Sequence, residues 1–176
     1  MGPNAFVIFG DKPASKQIKE LESALNEKSY NIDFGFVYPG ETYWEYDDEE
    51  LALIKEKTSM SVCGAFEISC PCNSSEDHRD LGEAILVACQ HLLGLVDFNG
   101  AILPPLPEQM YEGMWRWEKA NWSDIEPYFS EMVKSISGKI YTIEYETANN
   151  RIWASHICDN EFMSHWLEHP MFRMIK

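Results

Sequence analysis

The sequence predicts an α+β fold, a single domain over residues 1–176 with a largely antiparallel sheet and helices packed on it. The chain has the usual length of one domain, and its 45% hydrophobic content is enough for a core. Segments with helical spacing are mixed with short β-rich runs, and turn signals join some of these runs into hairpins. That order favours α+β over a doubly wound parallel fold.

The clearest element is a helix over residues 75–93. Its buried face is marked by apolar residues at helical spacing: Leu81, Ile85, Ala88, Cys89 and Leu92. Ser74 and Asp77 have the spacing of a capping box ahead of it, and Gly94 is expected to end it. A strand over 95–98 follows directly, which indicates a helix laid against a sheet.

β-rich composition, alternation and turn residues define the other elements. Residues 139–146 alternate strictly, and Asn149-Asn150 is expected to turn the chain because asparagine tolerates positive φ. Asp159 or Asn160 is expected to cap the last helix. In chain order the sequence predicts a strand over 4–9, helix 13–28, strand 32–38, a short helix from Leu51, strand 61–69, a loop or short helix over 111–122, helix 123–137, strands 139–146 and 152–157, and helix 162–169.

Charge is the strongest compositional signal, with 29 acidic residues against 14 basic ones and a formal net charge of −15. Nucleic acid and anionic membranes repel such a chain, and it has no dense run of lysine and arginine. We therefore expect no nucleic acid and no membrane among its partners. A basic protein is favoured, since opposite fields raise the rate of encounter. The alternative is that the acidity only maintains solubility.

The expected location is the cytoplasm. The first residues, Met1-Gly2-Pro3-Asn4, lack a basic region followed by a long apolar stretch, so no signal peptide is predicted. No apolar run approaches the length that spans a bilayer. The chain has five cysteines, an odd number, which fits thiols kept reduced rather than a disulfide framework.

No catalytic residue, metal or cofactor is predicted. The chain lacks the glycine-rich dinucleotide and phosphate motifs, the serine elbow and the H-E-x-x-H zinc motif. His165-Trp166-Leu167-Glu168-His169 does match H-x-x-E-H, whose two histidines could hold zinc. However, Pro170 biases His169 away from helical geometry, and only seven residues follow for a third ligand.

Two further groups keep an enzymatic alternative open. His78 and Glu83 could act as an acid–base pair, although the acids at that helix start already have a capping role. Cys70-Pro71-Cys72, with Cys63 nearby, is a weak zinc or redox pattern because a structural zinc usually needs two ligand pairs. Buried thiols acting as small apolar groups explain these cysteines more simply.

Residues 41–50, here called the acidic aromatic segment, hold six acids, three aromatics and no base. Tyrosine and tryptophan give large contact area at low entropic cost, and surrounding acids would steer a cationic partner. The alternative is a solvated loop whose aromatics fold back onto the core. A weaker second candidate is the tryptophan-rich stretch from Trp115 to Trp122. The residues predicted to bind the partner are Glu41, Tyr43, Trp44, Glu45, Tyr46, Asp47, Asp48, Glu49 and Glu50.

Two stretches carry a resemblance, one from Glu76 to Phe98 and one from Tyr145 to the end of the chain. The second contains Trp153, His156, Asp159, Phe162, Trp166-Leu167, His169-Pro170 and Phe172-Arg173-Met174-Ile175-Lys176. Together they resemble an uncharacterised family of small bacterial proteins, similar in style to the immunity proteins of polymorphic toxin systems. The resemblance covers the C-terminal half, leaves the acidic aromatic segment outside, and implies no catalytic residues.

These observations predict an immunity-type inhibitor that binds and neutralises a basic toxin domain through an acidic, aromatic surface. The partner would be a cognate toxin, and the protein would not itself be an enzyme. The alternatives are a small metal-dependent hydrolase and an acidic nucleic-acid mimic that occupies a DNA-binding protein.

Overall fold

The computed structural model describes residues 4–28, 30–71, 74–108, 110 and 120–174. Within these ranges six strands form one sheet in the order β2-β3-β1-β4-β6-β5, and every neighbouring pair is antiparallel. The strands are β1 Asn4–Phe9, β2 Asp33–Val37, β3 Gly64–Ser69, β4 Leu95–Asp97, β5 Ile140–Glu146 and β6 Ile152–Cys158. The helices are α1 Ser15–Glu27, α2 Asp48–Thr58, α3 Ser75–Leu92, α4 Trp122–Val133 and α5 Asn160–Leu167.

Helices cover both faces of the sheet. In β1, Ala5, Val7 and Phe9 belong to a large core shared with α1, α3, α4 and α5. Phe6 and Ile8 point to the opposite face, where a smaller core includes Ile54 of α2. This explains why β1 is a continuous apolar run: its side chains are buried on both sides. The predicted α+β fold, an antiparallel sheet with helices packed on it, is confirmed.

The helix predicted over 75–93 is present as α3, with the expected face buried. Its capping box is also present: Asp77 N–H donates to Ser74 Oγ at 3.1 Å, and Ser74 N–H donates to Asp77 Oδ2 at 2.8 Å. The last helix is capped by Asp159, whose Oδ1 accepts from Phe162 N–H at 2.8 Å. The turn at Asn150 has φ of 55°, as the hairpin prediction required.

The helix ends before Gly94, as predicted, but Gly94 does not make the turn. Leu93, not Gly94, adopts the left-handed conformation, with φ of 50°. Gly94 is needed for a different reason, because a Cβ there would lie 2.4 Å from the backbone oxygen of Ile8. The chain therefore passes so close to β1 between α3 and β4 that a side chain has no room.

Several boundaries were predicted wrongly: β3 starts at Gly64 and not at 61, and α5 spans Asn160–Leu167 and not 162–169. The short helix expected from Leu51 starts earlier, at Asp48, so it includes part of the acidic aromatic segment. The fourth helix starts at Trp122 and ends at Val133, four residues before the expected end. Its first turn is closed by Asn121, whose N–H donates to Asp124 Oδ2 at 3.1 Å. In the part of the chain that the structure describes, no helix is long and apolar enough to cross a bilayer.

Candidate functional site

The acidic aromatic segment begins with a tight turn after β2. Gly40 takes a positive φ of 88°, and Glu41 N–H donates to the carbonyl oxygen of Tyr38 at 3.1 Å. Glu41 Oε2 accepts from Tyr38 N–H at 2.9 Å. Although it is exposed, Glu41 thus closes the turn that leads into the segment. Trp44 N–H continues the turn by donating to the carbonyl of Glu41 at 3.1 Å.

Tyr46 anchors the segment in the smaller core. Its side chain is only 8% exposed, and its hydroxyl donates to Asp97 Oδ2 at 2.7 Å. The other oxygen of Asp97 accepts from Asn99 N–H at 2.8 Å. Burial raises the pKa of Asp97, and these two hydrogen bonds offset part of that rise. The ring of Tyr46 packs against Trp44, with ring centres 5.2 Å apart, and against Phe6.

The four acids from Asp47 to Glu50 start α2. Asp47 Oδ1 accepts from Glu50 N–H at 2.8 Å and so caps the helix. Asp48, Glu49 and Glu50 occupy its first turn, where the partial positive charge of the helix dipole favours carboxylates. A dense acidic run is therefore compatible with folding because the helix start stabilises it.

Glu50 has the most unusual environment of these acids. It is partly buried, and burial raises its pKa to about 7, with the neighbouring carboxylates of Asp97 and Asp47 adding to the shift. Tyr145 of β5 lies close to the same carboxylate: burial, and then the charge of Glu50, raises the pKa of Tyr145. Glu50 thus lies where the start of α2 packs against strand β5.

The side chains that remain at the surface form a patch without counter-charges. Tyr43 is 76% exposed, and Glu45, Asp48 and Glu49 are exposed beside it. In the described ranges the ion pairs are Lys16–Glu20, Arg79–Glu83, Arg79–Glu168 and Lys134–Glu131, all outside this segment. We call Tyr43, Glu45, Asp48 and Glu49 the acidic patch. Its charge is left for solvent or a partner.

The structure therefore divides the predicted contact residues into two groups. Tyr46 lies in the core, Asp47 caps α2 and Glu41 closes a turn, so their visible roles are structural. Trp44 is partly buried against Tyr46, and Glu50 is partly buried beside Asp97. The acidic patch is exposed, and within it Glu45 Oε2 accepts a hydrogen bond from Asn99 Nδ2 at 3.5 Å. Of the second candidate, residues 111–119, including Trp115 and Trp117, lie outside the described residues, and Trp122 is buried in the larger core.

Comparison with known families gives one match. Residues 42–176 match a family of unknown function, DUF6368. The chain belongs to this family. No curated protein and no solved structure matches it. The range shared with the DUF6368 family runs from Thr42 through α5, so it is wider than the stretches that carried the resemblance, and it includes the acidic patch.

The structure also shows the surroundings of the histidines and cysteines that were considered as metal ligands. No group of three or more histidine, cysteine or acidic side chains that could hold a metal ion occurs in the described ranges. His165 Nδ1 lies 2.9 Å from the carbonyl of Glu161, and His169 Nδ1 accepts from Met171 N–H at 3.2 Å. The H-x-x-E-H match thus has no third ligand among the described residues. Of the three cysteines considered, Cys72 lies outside them.

The suggested acid–base pair also has a structural explanation. Glu83 accepts from the hydroxyl of Tyr30 at 2.9 Å and lies 3.9 Å from Arg79. His78 is partly buried, and its Nδ1 is fully covered. In the described structure Glu83 thus links α3 to Tyr30, three residues before β2.

One buried polar group was missed from the sequence. His156 of β6 is completely buried; its Nδ1 accepts from Ile102 N–H at 2.8 Å, and its ring stacks on Phe129 at 4.1 Å. Burial lowers its pKa to about 3, so the ring is neutral. The alternation of β6 could have indicated it, because Ala154, His156 and Cys158 share one face of the strand. All three are buried on the side of β6 that faces the larger core.

The pH dependence of stability tests this assignment. The pKa of His156 is about 3 in the folded protein against 6.5 normally, so the unfolded chain takes up the proton first. Its contribution should be complete above pH 6.5 and decline below it by up to roughly 1.4 kcal/mol per pH unit. Glu50 acts oppositely, because its raised pKa favours the folded state as pH falls from about 7 towards 4.5.

Urea unfolding between about pH 7.5 and about pH 4.5 separates the two groups. His156→Gln should flatten the loss of stability on acidification relative to wild type, because the titrating ring is gone. Glu50→Gln should steepen it, because the opposing group is gone. Parallel profiles for all three proteins would show that neither side chain has the environment described.

Proposed function

We propose that this protein is an immunity-type inhibitor that binds and neutralises a basic toxin domain. The observation that carries the proposal is the acidic patch: Glu45, Asp48 and Glu49 are exposed around the start of α2 and pair with no described base. A basic partner would supply the missing counter-charges. Such complementarity raises association rates and discriminates against partners of the same charge.

An exposed aromatic supplies the apolar part of the surface. Tyr43 is 76% exposed, whereas the Trp44 next to it packs on the buried ring of Tyr46. The hydrogen bond between Tyr46 and Asp97 holds the Tyr46 ring in position. The contact residues next to Tyr46 are therefore held in place before binding. Pre-organisation of this kind improves affinity because less conformational entropy is lost in the complex.

The proposal includes a cytoplasmic location. The cysteines in the described part of the chain are free thiols, which fits a reducing compartment. They are Cys63, Cys70, Cys89 and Cys158. An inhibitor in that compartment would meet a toxin before the toxin reached its target.

Co-expression tests the proposal. The reading frame next to the gene for this protein should encode a basic domain that arrests growth of a bacterial host. Co-expression of the inhibitor should restore growth, and the two chains should purify as a stoichiometric complex. An inhibitor in which Glu45, Asp48 and Glu49 are replaced by their amides should protect less well at equal expression. Growth arrest that is unaffected by the wild-type protein, with no complex formed, would contradict the proposal.

A further inference from the structure

Among the described residues, no further strand pairs with the edge of the sheet beside the acidic patch. Strand β5 is the last strand of the sheet on this side, since β6 is its one neighbour in the sheet order. It is seven residues long and contains no proline or lysine, and its charged residues are the acids Glu144 and Glu146, which would repel another acidic strand but not a basic one. By contrast β2, at the other edge, has five residues and contains Gly35.

The hydrogen-bond register shows which backbone groups of β5 do not bond to β6. Thr147 N–H donates to the carbonyl of Arg151, and Asp159 N–H donates to the carbonyl of Lys139, at the two ends of the β5–β6 pair. Antiparallel pairing alternates, so every second residue between these ends bonds to β6. The backbone groups of the intervening residues point away from the sheet: Ile140, Thr142, Glu144 and Glu146.

Both sides of this edge are acidic. On the α4 side, Thr142 and Glu144 line a groove of about 680 Å³ together with Glu126 of α4, and none of the described lining residues is lysine or arginine. On the α2 side, Tyr145 is 44% exposed and lies within the field of Glu50. An added strand would place alternate side chains over each of these two environments.

We infer that the open edge of β5 accepts an extended, basic segment of the partner protein as a seventh strand. The inference rests on the proposed function, because it is the basic partner that would supply the strand. Main-chain hydrogen bonds would provide the pairing, and lysine or arginine side chains would lie against Glu126 and Glu144. A second copy of this chain fits poorly, since each copy carries a net charge of −15.

A peptide provides a defined probe of this edge. The probe is a nine-residue peptide of alternating lysine and valine, acetylated and amidated at its ends. In the free protein, the amides of Thr142, Glu144 and Glu146 should exchange with solvent much faster than those of Tyr141, Ile143 and Tyr145. Saturating peptide should protect the outward amides. A control peptide of the same sequence with every backbone amide N-methylated keeps the side-chain charge, removes the strand donors and should not protect them.

Two variants at one position separate strand pairing from charge. Glu144→Pro removes an outward N–H that β6 does not use, so the fold should persist as edge strands tolerate proline. It should weaken peptide binding roughly tenfold or more, since a hydrogen bond is lost and the ring obstructs the incoming strand. Glu144→Gln keeps the N–H and should weaken binding less than about fivefold.

Several results would overturn the inference. They are equal binding of the peptide and its N-methylated control, equal loss in Glu144→Pro and Glu144→Gln, no protection of the outward amides at the highest peptide concentration tested, and self-association of the protein through β5. If protection fails at β5 while neutralising the acidic patch still weakens the partner complex, strand addition is wrong and the proposed function stands. If the outward amides are protected but no toxin is neutralised, the proposed function is wrong.

Discussion

Tyr46→Ala is expected to destabilise the protein by about 3–5 kcal/mol, because it empties a large buried site. The variant also removes the hydroxyl that donates to Asp97, so a buried carboxylate keeps only its bond from Asn99. Leaving a buried acceptor unpaired adds to the loss of packing. Urea or thermal unfolding measures the change at neutral pH.

Two controls identify the cause. Tyr46→Phe keeps the ring and removes only the hydroxyl, so its cost should be about 1–3 kcal/mol. Tyr43→Ala changes an exposed tyrosine in the same segment and should stay within about 0.5 kcal/mol. If Tyr46→Ala costs less than about 1 kcal/mol and instead weakens partner binding, Tyr46 is a contact residue and not an anchor.

The second large effect concerns association with the partner. Replacing Glu45, Asp48 and Glu49 by their amides should slow association roughly tenfold or more at low salt, because exposed charges act mainly on encounter. The dissociation rate should change less. Stopped-flow or surface-based kinetics at several salt concentrations should show a flatter salt dependence than in wild type.

A matched variant controls for total charge. Glu20, Glu22 and Glu27 of α1 lie on the sheet face opposite to α2, and replacing them by glutamine removes the same amount of charge. This variant should associate at nearly the wild-type rate. Equal slowing by both variants would mean that only net charge matters and that the acidic patch has no particular role.

Local patterns in the sequence predicted much of the fold. The spacing of Leu81, Ile85 and Leu92 identified α3 and its buried face, and strict alternation identified β5, since both patterns repeat over a few residues. The pattern could not assign α2 to the opposite face of the sheet, because that depends on which strands become neighbours. It placed the end of α3 at Gly94, but could not show that Leu93 makes the turn and that close approach to β1 is what requires the glycine.

The site was only partly predictable for the same reason. Composition indicated a surface over residues 41–50, and Tyr43, Glu45, Asp48 and Glu49 are indeed exposed. Composition could not reveal that Tyr46 is buried, because its partner Asp97 lies 51 residues away along the chain. The cap at Asp47 was visible in the spacing to Glu50, but the density of acids made the segment resemble a solvated loop.

The central claim is that the acidic patch and the neighbouring edge of β5 form the partner surface. Hydrogen exchange of the free protein and of its complex with the neutralised toxin tests it most directly. We expect slower exchange in the complex over residues 41–50 and in β5, with α1 and the exposed face of α3 unchanged. Protection confined to α1 and α3, with residues 41–50 and β5 exchanging as in the free protein, would contradict the account.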